Sequence, residues 1–374
     1  MIYNEFQGLK LSALGMGCMR FPCVNGENGN IDKEATREMI AYAISKGINY
    51  FDTAWGYHSG MSEPIMGELL SEYPRDSFYL ASKFPGYDLK LIDKVEEIFE
   101  KQLVRCRTEY FDFYLFHNLC EANVDAYLDE KLGIFDYLMK QKKNGRIKHL
   151  GFSTHGSLHT IKRFLDAYGK DMEFCQLQIN WLDWELQKAK EKVELVSSYG
   201  IPVWVMEPVR GGKIASLAPE YESRLYALRP DASVAEWAFR FIQSIPEAVV
   251  TLSGMSNFDQ LKENIATYEV ENPLNESEID TLFEISKEII SKTAIHCTAC
   301  RYCTAHCPME LDIPELIKIY NAHAYSESGD IPSSALDTLD KHPSSCVGCR
   351  ACEELCPQCI KISDVMSDFA NRIK

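Results

Sequence analysis

The chain has 374 residues, 46% hydrophobic and 25% charged, which excludes a disordered tail and allows a sizeable core. Acidic residues outnumber basic ones by 55 to 39, a formal charge of −16, and no basic patch offsets that field, so neither nucleic acid nor a membrane is expected as a partner. The opening residues MIYNEFQGLKLSALGMG lack the basic-then-apolar pattern of a secretory leader, and no apolar run reaches the ~18 residues of a membrane span, so a cytoplasmic protein is expected.

Short β-branched or aromatic runs then alternate with stretches of helical spacing. In chain order the predicted strands are LGMGCM (14–19), INYFDTA (48–54), FYLASKF (78–84), FDFYLFHN (111–118), IKHLGFS (147–153), FCQLQIN (174–180), PVWVMEP (202–208) and AVVTLSG (248–254). Amphipathic segments follow them, among them KEATREMIAYAISKG, LIDKVEEIFEKQLVRC, ELQKAKEKVELVSSYG and FDQLKENIATYE, several ending at a glycine that stops the helix. Eight strand-then-helix repeats predict an α/β fold, a closed (β/α)8 TIM barrel. An open doubly wound sheet is the second choice. It would need a third glycine after Gly15 and Gly17 to hold a dinucleotide, and the sequence has none there. The expected organisation is a barrel over 1–275, a helical connector over 276–293 and a small cysteine-rich domain over 294–374, with one predicted helix at IPELIKIYNAHAY (313–325).

Reactive groups of such a barrel sit at the C-terminal ends of its strands. Three successive strands end in ionisable residues, Asp52, Lys83 and His117, and Tyr57 follows Asp52 by five positions. A phenol titrates near pH ~10 and exchanges a proton near neutrality only beside a cation. Lys83 supplies that cation, Asp52 holds the ammonium, and His117 can donate to a substrate oxygen. Protonating an alkoxide as it forms implies a hydride donor.

The segments FDTAWGYHSGMSE, ASKF and LFHN resemble the aldo-keto reductase family, with a match over about residues 1–270. The resemblance implies carbonyl reduction of a small-molecule substrate with NADP or NAD, with Asp52, Tyr57, Lys83 and His117 as the catalytic set. It also implies that Ser153 and Gln176 hold the nicotinamide carboxamide. The sequence departs from the family at Thr154, where an Asn usually follows the Ser, and at Met206, where an aromatic residue usually stacks on the nicotinamide. On the phosphate side, Gly211, Gly212 and Lys213 after the seventh strand, and Ser253, Gly254, Ser256 and Asn257 after the eighth, offer backbone N–H groups and a cation. Gln260 and Asn264 complete that candidate set, Gln260 matching the family's basic residue for a 2′-phosphate. NADP is therefore favoured by resemblance, and Asn257 with Gln260 can equally be a capping box.

Nine of the fourteen cysteines lie between Cys297 and Cys359. CTACRYCTAHCP contains Cys297, Cys300, Cys303 and Cys307, and CVGCRACEELCP contains Cys346, Cys349, Cys352 and Cys356. Both read C-x2-C-x2-C-x3-C-P, the bacterial pattern for two 4Fe-4S clusters in which the fourth cysteine of each block ligates the other cluster. One cluster then takes Cys297, Cys300, Cys303 and Cys356, the other Cys346, Cys349, Cys352 and Cys307. Paired zinc sites are the alternative, although zinc ribbons bring separated C-x2-C pairs to one ion. Cys359 falls outside the run and is read as a packing residue or free thiol.

A nicotinamide releases two electrons as hydride and a cubane one at a time. Three functions follow: a carbonyl reductase whose tail exchanges electrons with a redox protein partner or through a flavin, for which the sequence carries no signal; a reductase with structural or oxygen-sensing clusters; or a non-catalytic nicotinamide-binding scaffold, against which the intact tetrad argues.

Overall fold

In the computed structural model, eight of the ten strands among the described residues close into a parallel barrel in the order β10-β3-β4-β5-β6-β7-β8-β9. The structure describes residues 1–292, 295–323, 330–336 and 339–374. The strands are β1 (Tyr3–Phe6), β2 (Leu9–Ser12), β3 (Leu14–Gly17), β4 (Tyr50–Asp52), β5 (Tyr79–Phe84), β6 (Phe111–Leu119), β7 (Ile147–Thr154), β8 (Cys175–Gln178), β9 (Val203–Met206) and β10 (Ala248–Ser253). All eight predicted strands are thus present, as a closed barrel and not as an open sheet.

Side chains alternate along a strand, so one register both packs the barrel and furnishes its mouth. Tyr50, Ala81, Phe113, Leu115, Phe174 and Trp204 point inward and form one buried cluster. Two residues further along the same strands come Asp52, Lys83, His117, Gln176 and Met206. Gly151 is needed between them, because a Cβ there would lie 2.4 Å from the carbonyl oxygen of Phe174.

The antiparallel hairpin β1–β2 was not anticipated. Gln7 and Gly8, with φ of 48° and 83°, form its two-residue turn. Phe6 enters the barrel cluster edge-on to Trp204, with centroids 5.0 Å apart, and caps the end opposite the mouth. Burying that ring contributes about 2 kcal/mol.

Outside the strands, several helices start on side-chain caps, as at Asp32, Ser157, Ser233 and Asn257. The stretch ELQKAKEKVELVSSYG is two helices, Asp183–Leu186 and Ala189–Ser197, parted where Lys188 takes a left-handed φ of 54°. A further helix, Pro219–Leu228, was not anticipated.

The chain forms two compact units, Met1–Ile279 and Asp280–Lys374. The second has its own apolar core, in which Ile313, Leu316 and Ile317 of the helix Ile313–His323 meet Ile362, Met366 and Phe369 of the helix Ile362–Arg372. Residues 324 and 325 of the predicted helix, 293 of the connector and 294 of the tail lie outside the described residues. Among the described residues no helix is long and apolar enough to cross a membrane.

Candidate active site and cysteine centre

The three strand-end groups and Tyr57 meet at the mouth. Lys83 is fully buried and donates to Asp52 Oδ1, to Thr53 O at 2.8 Å and to the Tyr57 hydroxyl at 3.3 Å. The imidazole of His117 lies edge-on to the Tyr57 ring, with centroids 5.9 Å apart. Behind Lys83, the buried Glu63 accepts from Ser82 Oγ and Gln102 Nε2, and Gln102 also donates to Lys83 O at 3.0 Å, so β5 is braced from its outer side.

Electrostatics assign each member a resting state. Burial, then the Asp52 carboxylate, holds the Tyr57 phenol well above its usual range. Burial, then the Lys83 charge, holds His117 well below the imidazole range. Burial also raises Asp52, and Lys83 offsets part of that rise. The site at rest is therefore a protonated phenol beside a neutral imidazole. The ammonium that donates to the Tyr57 hydroxyl is paired at the same time with Asp52. Asp52 Oδ2 and His117 Nδ1 are buried without a hydrogen-bond partner, so two polar atoms at the mouth are left for a bound molecule.

The predicted cofactor residues ring the same mouth. Ser153 Oγ accepts from the Asn118 backbone N–H at 2.8 Å, and the buried Asn118 Oδ1 has no partner. Gln176 is buried on the adjacent strand. Thr154 spends its hydroxyl on Leu119 O and on the Gly156 N–H, so it does not replace the missing Asn. A carboxamide fits the group formed by Ser153, Gln176 and the orphaned Asn118 oxygen. Met206 is half-buried at the end of β9.

On the phosphate side, Gly211, Gly212 and Lys213 are exposed, with Gly211 and Gly212 at φ of 64° and 91°. Asn257 Oδ1 accepts from the Gln260 N–H at 2.9 Å, so Asn257 caps the helix, while Gln260 Oε1 accepts from the Ser256 N–H at 2.8 Å, one residue before the position that a capping box uses. Asn264 Nδ2 donates to Ser253 Oγ at 3.1 Å, and Gly254 lies where a Cβ would meet Arg20 Cβ at 3.0 Å.

Several residues at the mouth escaped the sequence reading. Tyr87 stands edge-on to His117 at 5.0 Å, and burial pushes its phenol up to about 12. The buried Asp183 accepts from Gln178, from Asn180 and from Arg210 Nε at 3.2 Å, anchoring the loop that carries Gly211 and Gly212. Arg20 lies near enough to Glu207 and His58 to act on both charges. Only Arg20 had a readable signal, as a cation directly after a strand end.

In the second unit, one small cavity is lined by Cys297, Cys300, Cys303 and Cys356. Another is lined by Cys307, Cys346, Cys349 and Cys352. Each cavity joins three cysteines of one block to the fourth of the other. Burial first, then Cys300, Cys297 and Cys356, pushes Cys303 up to about 12, and burial with Cys307 and Cys346 among its neighbours does the same to Cys352. Among the described residues no three potential ligands converge closely enough for one metal ion. Four thiols per cavity are the donor set of a 4Fe-4S cluster and also of a four-cysteine zinc site. Cys359 is exposed, lines neither cavity, and takes a φ of 50°.

Residues 13–287 match the Aldo/keto reductase family, and residues 296–361 match the 4Fe-4S dicluster domain. A "Probable aldo-keto reductase 1" from Glycine max is 27% identical over 313 residues, covering 74% of this chain and 86% of that protein. An "Uncharacterized oxidoreductase YqkF" from Bacillus subtilis is 25% identical, covering 76% and 95%. Among solved structures, the holo form of aldo-keto reductase AKR11C1 from Bacillus halodurans superposes with a TM-score of 0.60 at 26% identity, covering 76% of this chain and 96% of that one. The chain belongs to the aldo/keto reductase family: it is an NAD(P)H-dependent oxidoreductase whose barrel is followed by a 4Fe-4S dicluster domain.

Proposed function

We propose that the barrel reduces the carbonyl of a small molecule at Tyr57, and that the tail carries two 4Fe-4S clusters that exchange single electrons with a redox protein partner. The observation that carries the first part is the convergence of Lys83, Asp52, Tyr57 and His117 at the mouth. When bound, the reduced nicotinamide supplies a hydride to the carbonyl carbon. Tyr57 gives its proton to the oxygen as negative charge builds there, and Lys83, 3.3 Å away, steadies the phenolate that remains. Neutral His117 orients the oxygen by donating a hydrogen bond, which an imidazole can do without being charged. Asp52 keeps the ammonium in place. Ser153, Gln176 and Asn118 hold the carboxamide, while Gly211, Gly212, Lys213 and the end of the helix Phe258–Thr267 receive the phosphates.

NADP is the cofactor proposed over NAD. Gln260 supports it modestly: its side-chain oxygen accepts from the Ser256 N–H, leaving the amide N–H groups as donors to a 2′-phosphate. In the tail, Cys297, Cys300, Cys303 and Cys356 hold one cluster and Cys307, Cys346, Cys349 and Cys352 the other. Such clusters would store and release one electron each.

The test is anaerobic. Holoprotein with NADPH and 4-nitrobenzaldehyde should oxidise the coenzyme, and Tyr57→Phe should lose turnover while still binding NADPH. Full activity in Tyr57→Phe would remove the proposal for the barrel.

A further inference from the structure

The loop between β3 and the helix Lys33–Ser45 is tied to both sides of the mouth. Ser256 Oγ, on the phosphate side, donates to Arg20 O at 2.9 Å. One residue later, the Phe21 N–H donates to His58 Nε2 at 3.0 Å, and His58 directly follows Tyr57. An imidazole nitrogen that accepts carries no proton. The proton of neutral His58 is therefore on Nδ1, which donates to Asn28 O at 2.7 Å. One ring thus grips the loop at two points seven residues apart, and it is 3% exposed and stacked on Phe21 at 5.8 Å.

The backbone makes the choice of residue informative. His58 and Ser59 take left-handed φ values of 51° and 56°, where glycine costs less than any side chain. A histidine at such a position is explained by what its two nitrogens hold.

We propose that His58 is a positioning residue that latches the loop of residues 18–32 against the Tyr57 loop and thereby fixes the hydroxyl that gives up the proton. The inference rests on the reading of Tyr57 as proton donor. The latch exists only for the neutral ring, because a proton on Nε2 would face the Phe21 N–H. The titratable or charged groups facing the ring are Cys23, with Sγ 3.6 Å from Nδ1, and Arg20. Burial lowers the imidazole below its usual range; the Asn28 carbonyl works against that shift and Arg20 with it. Its folded value being depressed, the latch is complete above the ordinary imidazole value of about 6.5 and is lost as pH falls through the lower folded value.

Two variants separate the ring's bonds from backbone strain. His58→Gly suits the left-handed turn but removes both bonds; His58→Gln can accept from Phe21 and donate to Asn28. With anaerobic holoprotein, NADPH and 4-nitrobenzaldehyde, His58→Gly should lower kcat by about 10- to 100-fold, with NADPH affinity little changed. Hydrogen exchange over residues 18–31 should quicken relative to the barrel strands, and His58→Gln should restore part of both. In the unsubstituted protein, that protection and kcat should fall together below pH ~6.5, a joint fall missing from His58→Gly. Wild-type kcat or unchanged exchange in His58→Gly overturns the latch. Turnover surviving in Tyr57→Phe instead overturns the reading of Tyr57, and the exchange measurement still reports on the latch by itself.

Discussion

The ammonium of Lys83 lies 3.3 Å from the Tyr57 hydroxyl, but its charge is committed to Asp52 and its third bond to Thr53 O. The cation therefore does not turn the phenol into an acid in the resting site, and the phenol stays above its usual range under the combined weight of burial and Asp52. For a reductase this is the useful state. The proton is present before the carbonyl arrives, and the lysine acts when charge develops on oxygen.

Replacing Lys83 separates this electrostatic role from stability. Lys83→Met leaves Asp52 buried without its counter-ion, which should cost about 3 kcal/mol and lower turnover about 10²- to 10⁴-fold. In Lys83→Met with Asp52→Leu the uncompensated charge is gone. Denaturant unfolding should then show most of the lost stability regained while NADPH oxidation remains absent. Recovery of both together would mean that the pair is only structural.

The pH profile of carbonyl reduction follows from the same shifts. Tyr57 is raised and His117 depressed, so neither changes protonation as pH passes from about 6.5 to about 10. Reductive kcat/KM should be flat across that range. On the acid side, burial lowers both His58 and His117. An acid limb set by the latch should move in His58 variants and stay in place in His117→Asn. In the reverse direction, alcohol oxidation needs the phenolate and should rise with pH.

Arg210 and Asp183 are buried partners, 3.2 Å apart, beneath the glycines proposed to meet the phosphates. Arg210→Met removes one charge and leaves the other under cover, with only Gln178 and Asn180 as donors. Thermal or denaturant unfolding should show a loss of about 3 kcal/mol. Coenzyme titration should show weaker NADPH binding, because the loop carrying Gly211 and Gly212 loses its anchor.

What the sequence disclosed depends on where the determining contact lies. Most of the barrel strands were legible as runs rich in β-branched or aromatic residues, LGMGCM being apolar without either, and the period of two that buries Tyr50 and Ala81 also places Asp52 and Lys83. The hairpin Tyr3–Ser12 was not, since its strands are four residues long and only Phe6, Leu9 and Leu11 reach the barrel cluster. His58 was hidden for another reason: its value comes from Phe21 N–H and Asn28 O, backbone groups that carry no residue-type signal. Asp183 likewise reads as an ordinary helix-start acid until Arg210 folds over it. The helix Ile362–Arg372 could have been found, as Ile362, Val365, Met366 and Phe369 recur at helical spacing.

The crossed sharing of cysteines gives the sharpest test in the tail. Cys300 and Cys356 line one cavity although they belong to different blocks, whereas Cys300 and Cys307 share a block but line different cavities. Two clusters bring about eight irons to the intact chain. If the cavities define the clusters, Cys300→Ala with Cys356→Ala damages one cluster twice and should retain about four irons. Cys300→Ala with Cys307→Ala damages both and should retain almost none. Ligation within each block predicts the reverse ranking of the two double variants. Iron analysis and electron paramagnetic resonance of the dithionite-reduced proteins, prepared anaerobically, distinguish the two arrangements without reference to turnover, and two zinc ions per chain in place of iron would discard both.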